Sequence, residues 1–361
     1  MSELINLSSQ ASKAIENLTF VEIEKIEIKP IVHQEMRDLV TCIAESYRSN
    51  PFHNFEHASH VTMSVIKLMS RIVKPPREEQ ESAIDESIRA TTAKQHDRTF
   101  GITSDPLTQF ACAFSALIHD ADHPGVPNTQ LAQENVELAK RFGGRSVAEQ
   151  NSLHLCFGLL AEPRFQNLRR ALFSCDEDQV RFRKLVVNSI MATDIVDKEL
   201  KELRNGRWKT AFSKTRARKE TKETTVNRKA TIVLEHLIQA SDVSHTMQHW
   251  NVYRKWNEKL LEEMYLAYRS GRSTVDPTQN WAKGEIGFFD FYIIPLAKKL
   301  KNCGVFGVSS DEYLNYALIN RRKWEQEGAE ITAKMVERLT QATALGFESE
   351  HETDLFAEND E

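Results

Sequence analysis

The sequence has little of what marks several whole classes of protein. Its five cysteines are scattered without a Cys-x-x-Cys pair, which argues against a disulfide framework and against a zinc site built from thiolates. No run approaches the roughly 18 apolar residues that a membrane helix needs, and the first residues lack the pattern of a signal peptide. Basic residues do not outnumber acidic ones, 47 against 52, which argues against a broad basic surface for nucleic acid. We therefore expect a cytoplasmic protein with no membrane segment and no nucleic-acid partner.

Strand signals and flexible linkers are equally scarce. From Gln34 onward apolar residues recur at helical rather than alternating spacing, as Val61, Val65 and Leu68 do. With 13 Gly and 10 Pro in 361 residues, no Gly-rich linker or internal repeat divides the chain. The sequence therefore predicts an all-α fold, a compact multi-helix domain.

The predicted domain covers residues 19–345, and a flexible segment at 1–18 precedes it. Residues 346–361 are acidic and poor in apolar side chains, which predicts a disordered tail. Two polar stretches, Pro75 to Pro106 and Asn205 to Asn227, are predicted to be long solvated connections within the domain.

Histidines, by contrast, are numerous, and three of the 12 lie close together. The segment Asn50-Pro-Phe-His-Asn-Phe-Glu-His-Ala-Ser-His60 opens with a pair typical of a helix start. A helix from that point would place His53, His57 and His60 at i, i+4 and i+7, on one face. Such a cluster indicates a metal or catalytic site, although single histidines are often structural.

Two apolar segments end in polar side chains. Phe110 to Ile118 runs into His119 and Asp120, and Thr231 to Ala240 runs into Asp242. Polar groups beside buried helices cost roughly several kcal/mol unless they have a partner, and a divalent cation is a common partner of imidazole and carboxylate. Helix-ending residues bonded to the backbone are the alternative.

The order His57, His119-Asp120, Asp242 is that of the ligands in the HD superfamily of metal-dependent phosphohydrolases. The chain resembles the catalytic domain of the class I cyclic-nucleotide phosphodiesterases, from about Ser46 to Glu327. The matching stretches are Phe52-His-Asn-Phe-Glu-His-Ala58, Ile118-His-Asp-Ala-Asp-His-Pro-Gly-Val126, Ser146-Val-Ala-Glu149, Ala192-Thr-Asp194, Ala240-Ser-Asp-Val-Ser-His245 and Gly284-Glu-Ile-Gly-Phe-Phe-Asp290. The resemblance implies an all-helical HD-type fold and hydrolysis of the 3′ phosphoester bond of cyclic AMP or cyclic GMP to the 5′ monophosphate.

The resemblance also implies two divalent metal ions. His57, His119, Asp120 and Asp242 would hold the first, as a nitrogen and oxygen set that suits zinc. Asp120 would bridge to a second ion otherwise surrounded by water, as magnesium prefers, with manganese as a substitute. A hydroxide between the two ions would attack the phosphate, and His53 would be the general acid that protonates the departing 3′ oxygen.

Four further residues match family positions that steady the waters around the metals: His123, Glu149, Thr193 and Asp194. For Glu149 the local sequence offers an alternative, because Ser146-Val-Ala-Glu149 is also a capping box at a helix start. His60 matches no family role and is expected to be structural.

The base side of the site is matched by Phe288 and Leu260 as a hydrophobic clamp and by His245 as a polar neighbour. Glu285 stands where the family has the Gln that contacts the purine. An ionised carboxylate only accepts hydrogen bonds, and guanine offers N1–H and the N2 amino group as adjacent donors. We therefore expect a preference for cyclic GMP, unless Glu285 points to water at its helix start or is protonated.

The sequence leaves other functions open. Phe52 stands in place of the family's Tyr before the catalytic His, which removes one hydroxyl near the substrate. The alternatives are a dual-specificity or cyclic AMP-preferring phosphodiesterase, another HD-type phosphohydrolase, and a non-catalytic cyclic-nucleotide sensor. Few residues precede the first motif, so we expect either minimal regulation or a part of a longer regulatory protein, and an oligomer is compatible with the sequence.

Overall fold

The computed structural model describes residues 28–72, 99–102, 105–212, 222–306 and 308–357. Throughout these ranges the regular elements are helices and none is a strand, which confirms the all-α prediction. The segment 1–18 and most of the connection from Pro75 to Pro106 lie outside the described residues.

The described part of the first half is built of α-helices. They are α1 (Pro30–Glu45), α2 (Phe55–Ser70), α3 (Pro106–Ile118), α4 (Asn128–Glu134), α5 (Val136–Arg141), α6 (Val147–Ala161), α7 (Gln166–Leu172) and α8 (Asp176–Thr193). A 3-10 turn at Pro163–Phe165 joins α6 to α7.

The second half contains longer helices. They are α9 (Lys198–Phe212), α10 (Lys222–Asp242), α11 (Trp250–Arg269), α12 (Trp281–Phe288), α13 (Ile294–Asn302) and α14 (Val308–Ala357). Two 3-10 turns, Ser244–Met247 and Pro277–Gln279, flank α11, and a π-helical turn, Phe289–Ile293, joins α12 to α13. None of the helices in the described ranges has both the length and the apolar character that crossing a bilayer requires.

The stretch from Asn205 to Asn227 is not the solvated connection that its polarity predicts. Where it is described it is helical, because α9 continues to Phe212 and α10 begins at Lys222. The aromatic residues decide this outcome: the rings of Trp208 and Phe212 pack 4.4 Å apart despite their basic neighbours. At the other end of the chain, α14 continues as helix to Ala357, within the segment expected to be a disordered tail.

The central element is α10. Every residue from Thr231 to Ser241 is buried, as in a helix enclosed on all sides, and α2, α3, α8, α9 and α13 pack around it. On α2 the predicted core positions Val61, Val65 and Leu68 are at most 1% exposed, which confirms the helical reading of that segment. The C-terminal residue of α10, Asp242, therefore emerges directly from the core.

The helix that carries the second motif has clear boundaries. Asp105 caps α3, since its carboxylate accepts hydrogen bonds from the N–H groups of Leu107 at 3.2 Å and Thr108 at 3.4 Å. Pro106 occupies the first turn, where a missing N–H costs nothing. The helix ends at Ile118, so that His119 and Asp120 stand at its C-terminal end beside the end of α10.

Candidate metal centre and active site

The first histidine motif begins its helix later than the sequence predicts. The Asn54 side chain caps α2, accepting a hydrogen bond from the His57 N–H at 3.0 Å, while its amide donates to the Asn50 carbonyl at 2.8 Å. His53 therefore lies in the turn before the helix, and the prediction that His53, His57 and His60 share one helix face is wrong. His57 is 1% exposed, whereas His53 is 24% exposed at the mouth of the site.

The four predicted metal ligands converge in one cluster. His57 Nε2 lies 3.1 Å from Asp242 Oδ1 and 3.7 Å from Asp120 Oδ2. His119 Nε2 lies 3.0 Å from Asp120 Oδ2 and 3.4 Å from Asp242 Oδ1. The start of α2 and the ends of α3 and α10 thus bring two imidazole nitrogens and two carboxylates into the same small volume.

The tautomer of His119 indicates what this cluster can hold. Its Nδ1–H donates to the Ala116 carbonyl at 2.9 Å, so Nε2 of the neutral ring is a buried lone pair. Among the described residues Nε2 has no hydrogen-bond partner, and it faces two carboxylates. Burial lowers the pKa of His119, but the charges of Asp120 and Asp242 outweigh burial and raise it well above its usual value. A positive charge belongs between these groups, and the donor set fits a divalent cation.

The sequence analysis missed one residue of the site, Glu263 on α11. Its Oε1 contacts His53 Nδ1, and its Oε2 accepts hydrogen bonds from the N–H groups of Phe52 at 3.0 Å and His53 at 2.9 Å. Burial raises the pKa of Glu263, but the His53 charge and these bonds outweigh it and lower the pKa to about 2. A signal was available, because Glu263 lies one or two turns from Trp256 and Ala267 on the buried face of an amphipathic helix.

Glu263 acts in turn on His53. Burial lowers the pKa of His53, yet the charge and hydrogen bond of Glu263, with smaller effects from Asp120 and Asp242, raise it overall. The proton of the pair is therefore retained at higher pH than in a free imidazole. Because Nδ1 is taken by Glu263, the other ring nitrogen of His53, Nε2, is the one that can donate to a substrate.

His123 lies in the turn after α3, with its ring stacked on His53 at a centroid distance of 3.9 Å. Asp122, with a φ of +60°, turns the chain, and its carboxylate accepts from Arg48 at 2.7 Å and Asn151 at 2.9 Å. His123 Nδ1 accepts from the Gly125 N–H at 3.2 Å. Burial and the adjacent His53 lower the pKa of His123 to about 3, so this ring is neutral near pH 7.

The capping-box alternative for Glu149 is wrong. Ser146 has a left-handed φ of +44°, and its hydroxyl donates to Asp194 Oδ2 at 2.6 Å instead of capping α6. Glu149 accepts a hydrogen bond from Asn128 at 2.9 Å. Burial, followed by the charge of Asp194, raises the pKa of Glu149 to about 7. The carboxyl group of Glu149 is thus buried beside a carboxylate that lies at the end of α8.

Thr193 and Asp194 have local partners. The Thr193 hydroxyl donates to the Ile190 carbonyl at 2.8 Å, and Asp194 Oδ1 accepts from the N–H groups of Val196 and Asp197, each at 3.1 Å. These bonds fix the turn between α8 and α9. The predicted role of both residues around metal-bound water stays a prediction.

On the base side, Glu285 is buried, at 8% exposure, so the alternative in which it points to water is wrong. The Tyr253 hydroxyl donates to its Oε2. Burial raises the pKa of Glu285 to about 7, although hydrogen bonds from Tyr253 and Asn257 lower it. The predicted clamp residues Phe288 and Leu260 are both half-buried, and the Phe288 ring stacks on Tyr292 at 5.4 Å.

His245 lies between the cluster of proposed metal ligands and the base side of the site. Its ring is 5% exposed and lies 6.3 Å from the ring of His57 and 6.4 Å from that of Tyr253. Phe52 packs against it at 5.6 Å. His60, expected to be structural, packs against Trp256 at 5.2 Å.

Within the described residues, two groups place one possible ligand atom from each of three side chains within 4.8 Å of one another. They are His57, His119, Asp242 and His53, His123, Glu263. The pair of groups is consistent with a binuclear metal site. The second group is distinguished by the hydrogen bond between His53 Nδ1 and Glu263 Oε1, which already occupies one possible ligand atom of each residue.

The family profile described as 3′5′-cyclic nucleotide phosphodiesterase matches residues 52–305. The chain is 26% identical over 262 residues to "Probable 3',5'-cyclic-AMP phosphodiesterase pde-4" of Caenorhabditis elegans, covering 69% of this chain and 34% of that protein. It is also 26% identical over 269 residues to "Dual specificity calcium/calmodulin-dependent 3',5'-cyclic nucleotide phosphodiesterase 1C" of Mus musculus, covering 70% and 31%. The chain thus spans about a third of the length of these curated relatives.

Among solved structures, the chain is similar to the phosphodiesterase domain of the rhodopsin phosphodiesterase of Salpingoeca rosetta. The TM-score is 0.60 at 21% sequence identity, and the superposition covers 86% of this chain and 87% of that one. This likeness supports the fold, and the profile match over most of the chain establishes the family.

Proposed function

Because this chain belongs to the 3′,5′-cyclic nucleotide phosphodiesterase family, we propose that it hydrolyses the 3′ phosphoester bond of a cyclic purine nucleotide to the 5′ monophosphate. The observation that carries the proposal is the convergence of His57, His119, Asp120 and Asp242, with both imidazole Nε2 atoms directed at carboxylates. Another HD-type reaction or a sensor role would not require the base-side residues Glu285 and Phe288 in addition to the His53–Glu263 pair.

The residues fit two divalent cations. His57, His119, Asp120 and Asp242 would hold zinc, and Asp120 would share a magnesium or manganese ion with water. When bound, such cations neutralise the phosphate and supply hydroxide near neutral pH. His123, neutral near pH 7, would orient the surrounding water together with Glu149, Thr193 and Asp194.

The chain's own contribution to bond breaking is the proton on His53. The 3′ oxygen is a poor leaving group as an alkoxide, and Nε2–H of His53 can protonate it as the bond breaks. Glu263 orients the ring through Nδ1 and stabilises the charged form. The stacked, neutral His123 supports the ring from one side without competing for its proton.

We further propose that cyclic GMP is preferred over cyclic AMP. Glu285 is buried where the family's Gln contacts the base, and when it is ionised it offers only acceptors. Guanine presents N1–H and N2–H donors to such a group, whereas adenine places the N1 lone pair beside its single N6 donor. Phe288 and Leu260 would hold the ring as an apolar clamp, with His245 as a polar neighbour.

The test is to measure hydrolysis of cyclic GMP and cyclic AMP with and without a chelator. Asp120→Ala and Asp242→Ala should each abolish turnover and reduce bound metal, because each removes a ligand. Asp38→Ala, at an exposed residue of α1, is the matched control and should behave as wild type. Near-native turnover by either folded ligand variant, or release of inorganic phosphate from a nucleoside monophosphate instead, would refute the assignment.

A further inference from the structure

A cavity of about 440 Å³ lies between the end of α8 and α9, and none of the proposed catalytic, metal-binding or base-binding residues lines it. The side chains of Met191, Leu200 and Leu203 supply its apolar wall. Its volume falls within the range of small-molecule sites, about 300–1,000 Å³. The cavity is therefore large enough for an organic molecule, and it is built from residues that the proposed hydrolysis does not use.

A second volume of about 10 Å³, the recess, adjoins this cavity. The two volumes share four lining residues: Met191, Leu200, Leu203 and Arg207. Asn188 of α8 and Glu235 of α10 line the recess but not the cavity. The recess thus places polar side chains of three helices beside the apolar wall.

Three buried polar atoms around the recess have no hydrogen-bond partner among the described residues: Asn188 Nδ2, Arg207 Nε and Glu235 Oε2. Glu235 is 2% exposed, and its other oxygen accepts a hydrogen bond from Arg207 at 2.7 Å. Burial raises the pKa of Glu235, and the charge of Arg207, followed by the nearby Asn188 amide, lowers it, although no bond of normal geometry joins Asn188 to the carboxylate. Buried polar atoms of this kind cost free energy until a partner reaches them.

The three atoms define the chemical group that would satisfy them. Two are N–H donors and the third is a carboxylate acceptor, so the matching group has two lone pairs and one proton to donate. A carboxamide or a hydroxyl group has both. A carboxylate has no proton for Glu235, and an ammonium group has no lone pair for Arg207. A single water molecule also matches and is the alternative occupant of the recess.

The charges around the cavity are already paired. Arg145 lies 2.9 Å from Asp197 and 2.7 Å from Glu199, and Arg207 pairs with Glu235 at 2.7 Å. A charged ligand would have to compete with one of these ion pairs, whereas a neutral ligand leaves all of them in place. The surroundings therefore favour a neutral molecule.

We propose that this cavity binds a small neutral molecule, whose apolar body packs on Met191, Leu200 and Leu203 and whose carboxamide or hydroxyl group enters the recess. Burial of the apolar body supplies affinity, and the three polar atoms fix its orientation. The proposal goes beyond the proposed function, because it concerns a second site and does not require that the chain hydrolyses a nucleotide.

The proposed site adjoins the turn that follows α8. Ser146, which lines the cavity, donates to Asp194 Oδ2 at 2.6 Å. Arg204, which lines the recess, donates to the carbonyls of Met191 at 3.2 Å and Asp194 at 3.0 Å. A bound molecule would therefore contact the residues that hold Asp194 in place.

The experiment follows the methyl group of Met191 by NMR in the full, metal-loaded chain labelled with ¹³C-methyl methionine. The probes are benzamide, benzoate and benzylamine, which share one ring and differ in the head group. Benzamide should shift the Met191 signal saturably and bind roughly 10-fold or more tightly than the two charged probes, the scale of an unsatisfied buried polar group. Met335, which is buried on α14, is the control signal and should not move. Absence of a saturable shift with benzamide would leave the recess to water alone and overturn the proposal, as would equal affinities for the three probes.

The variant Glu235→Gln should change the preference for the head group. Its carbonyl can keep the bond to Arg207 while its NH₂ faces the recess, so that three donors await the ligand. The ratio of the dissociation constants of benzoate and benzamide should then fall roughly 10-fold or more. Glu202→Gln, at an exposed residue of α9, is the matched control and should keep the wild-type ratio. A folded Glu235→Gln variant with the wild-type ratio would contradict the proposal, and the order of the probes in wild type tests it without any substitution.

Discussion

Replacing Glu263 by Gln should slow hydrolysis without removing the metal ligands. The carboxylate's pKa falls from its usual 4.5 to about 2 in the folded protein, which corresponds to roughly 3 kcal/mol at ~1.36 kcal/mol per unit. If His53 lost that stabilisation of its charged form, less of the ring would be protonated at alkaline pH, and kcat there should fall by about 10²-fold. The alkaline limb of the kcat–pH profile should also move to lower pH, because the charge and hydrogen bond of Glu263 are the largest effects that raise the pKa of His53.

The controls for this prediction are a matched variant and a metal assay. Glu262→Gln changes the exposed neighbour on the same helix and should leave the profile in place. Metal content should be unchanged in both variants, since Glu263 is the partner of His53. It is not one of the proposed metal ligands His57, His119, Asp120 and Asp242. A Glu263→Gln enzyme with reduced kcat but an unshifted alkaline limb would show that the residue only supports the fold.

The His53–Glu263 pair also makes a pH-dependent contribution to the free energy of unfolding. The pKa of Glu263 is lowered, so its stabilisation is complete above about pH 4.5 and is lost as the pH falls toward 2. The pKa of His53 is raised, so its part is complete below about pH 6.5 and is lost as the pH rises through the folded value. Urea unfolding of wild type and Glu263→Gln should differ most between these limits.

Two further predictions concern other parts of the molecule. His53→Gln should lower kcat by about 10²- to 10⁴-fold with metal content retained, whereas His57→Ala should lose metal, and equal metal loss in both would mean that ligand and acid have been exchanged. Gly328→Ala should lower the Tm, because a Cβ there would lie 2.9 Å from α12 and 3.0 Å from Trp324, and overpacking of about 1–3 kcal/mol exceeds the ~1 kcal/mol helix gain. Gly206→Ala, with nothing within 4 Å, is its control and should not lower the Tm.

Three of the four proposed metal ligands could be predicted from the sequence because they lie in short motifs at the ends of apolar runs. His119 and Asp120 follow one run and Asp242 follows another, so the burial of the run places the polar group that follows it. The resemblance to the phosphodiesterase family indicated that the ends of these two helices lie together. The all-helical architecture could be predicted from apolar spacing such as that of Val61, Val65 and Leu68 on α2.

What could not be predicted depends on contacts between distant residues. Glu263 lies 210 residues from His53, and no local pattern links them. The placement of His53 failed because the Asn54 side chain, rather than the Asn50-Pro51 pair, caps α2. The capping box at Ser146 failed because its hydroxyl found a tertiary partner, Asp194, in place of the local N–H. At Ser146 a tertiary hydrogen bond thus replaced the local one that the sequence suggested, and at Asn54 one local cap replaced another.

The ligand cluster also has a consequence for the order in which the chain can be assembled. His57 and Asp242 meet across 185 residues. A chain truncated before α10 would keep three of the four groups yet lack the carboxylate that completes the cluster. High-affinity cation uptake should therefore begin only when the second half has docked on the first. In a nascent or proteolysed chain, bound metal would be a marker that α2, α3 and α10 have come together, and the cation would then act as a crosslink that closes a very long loop.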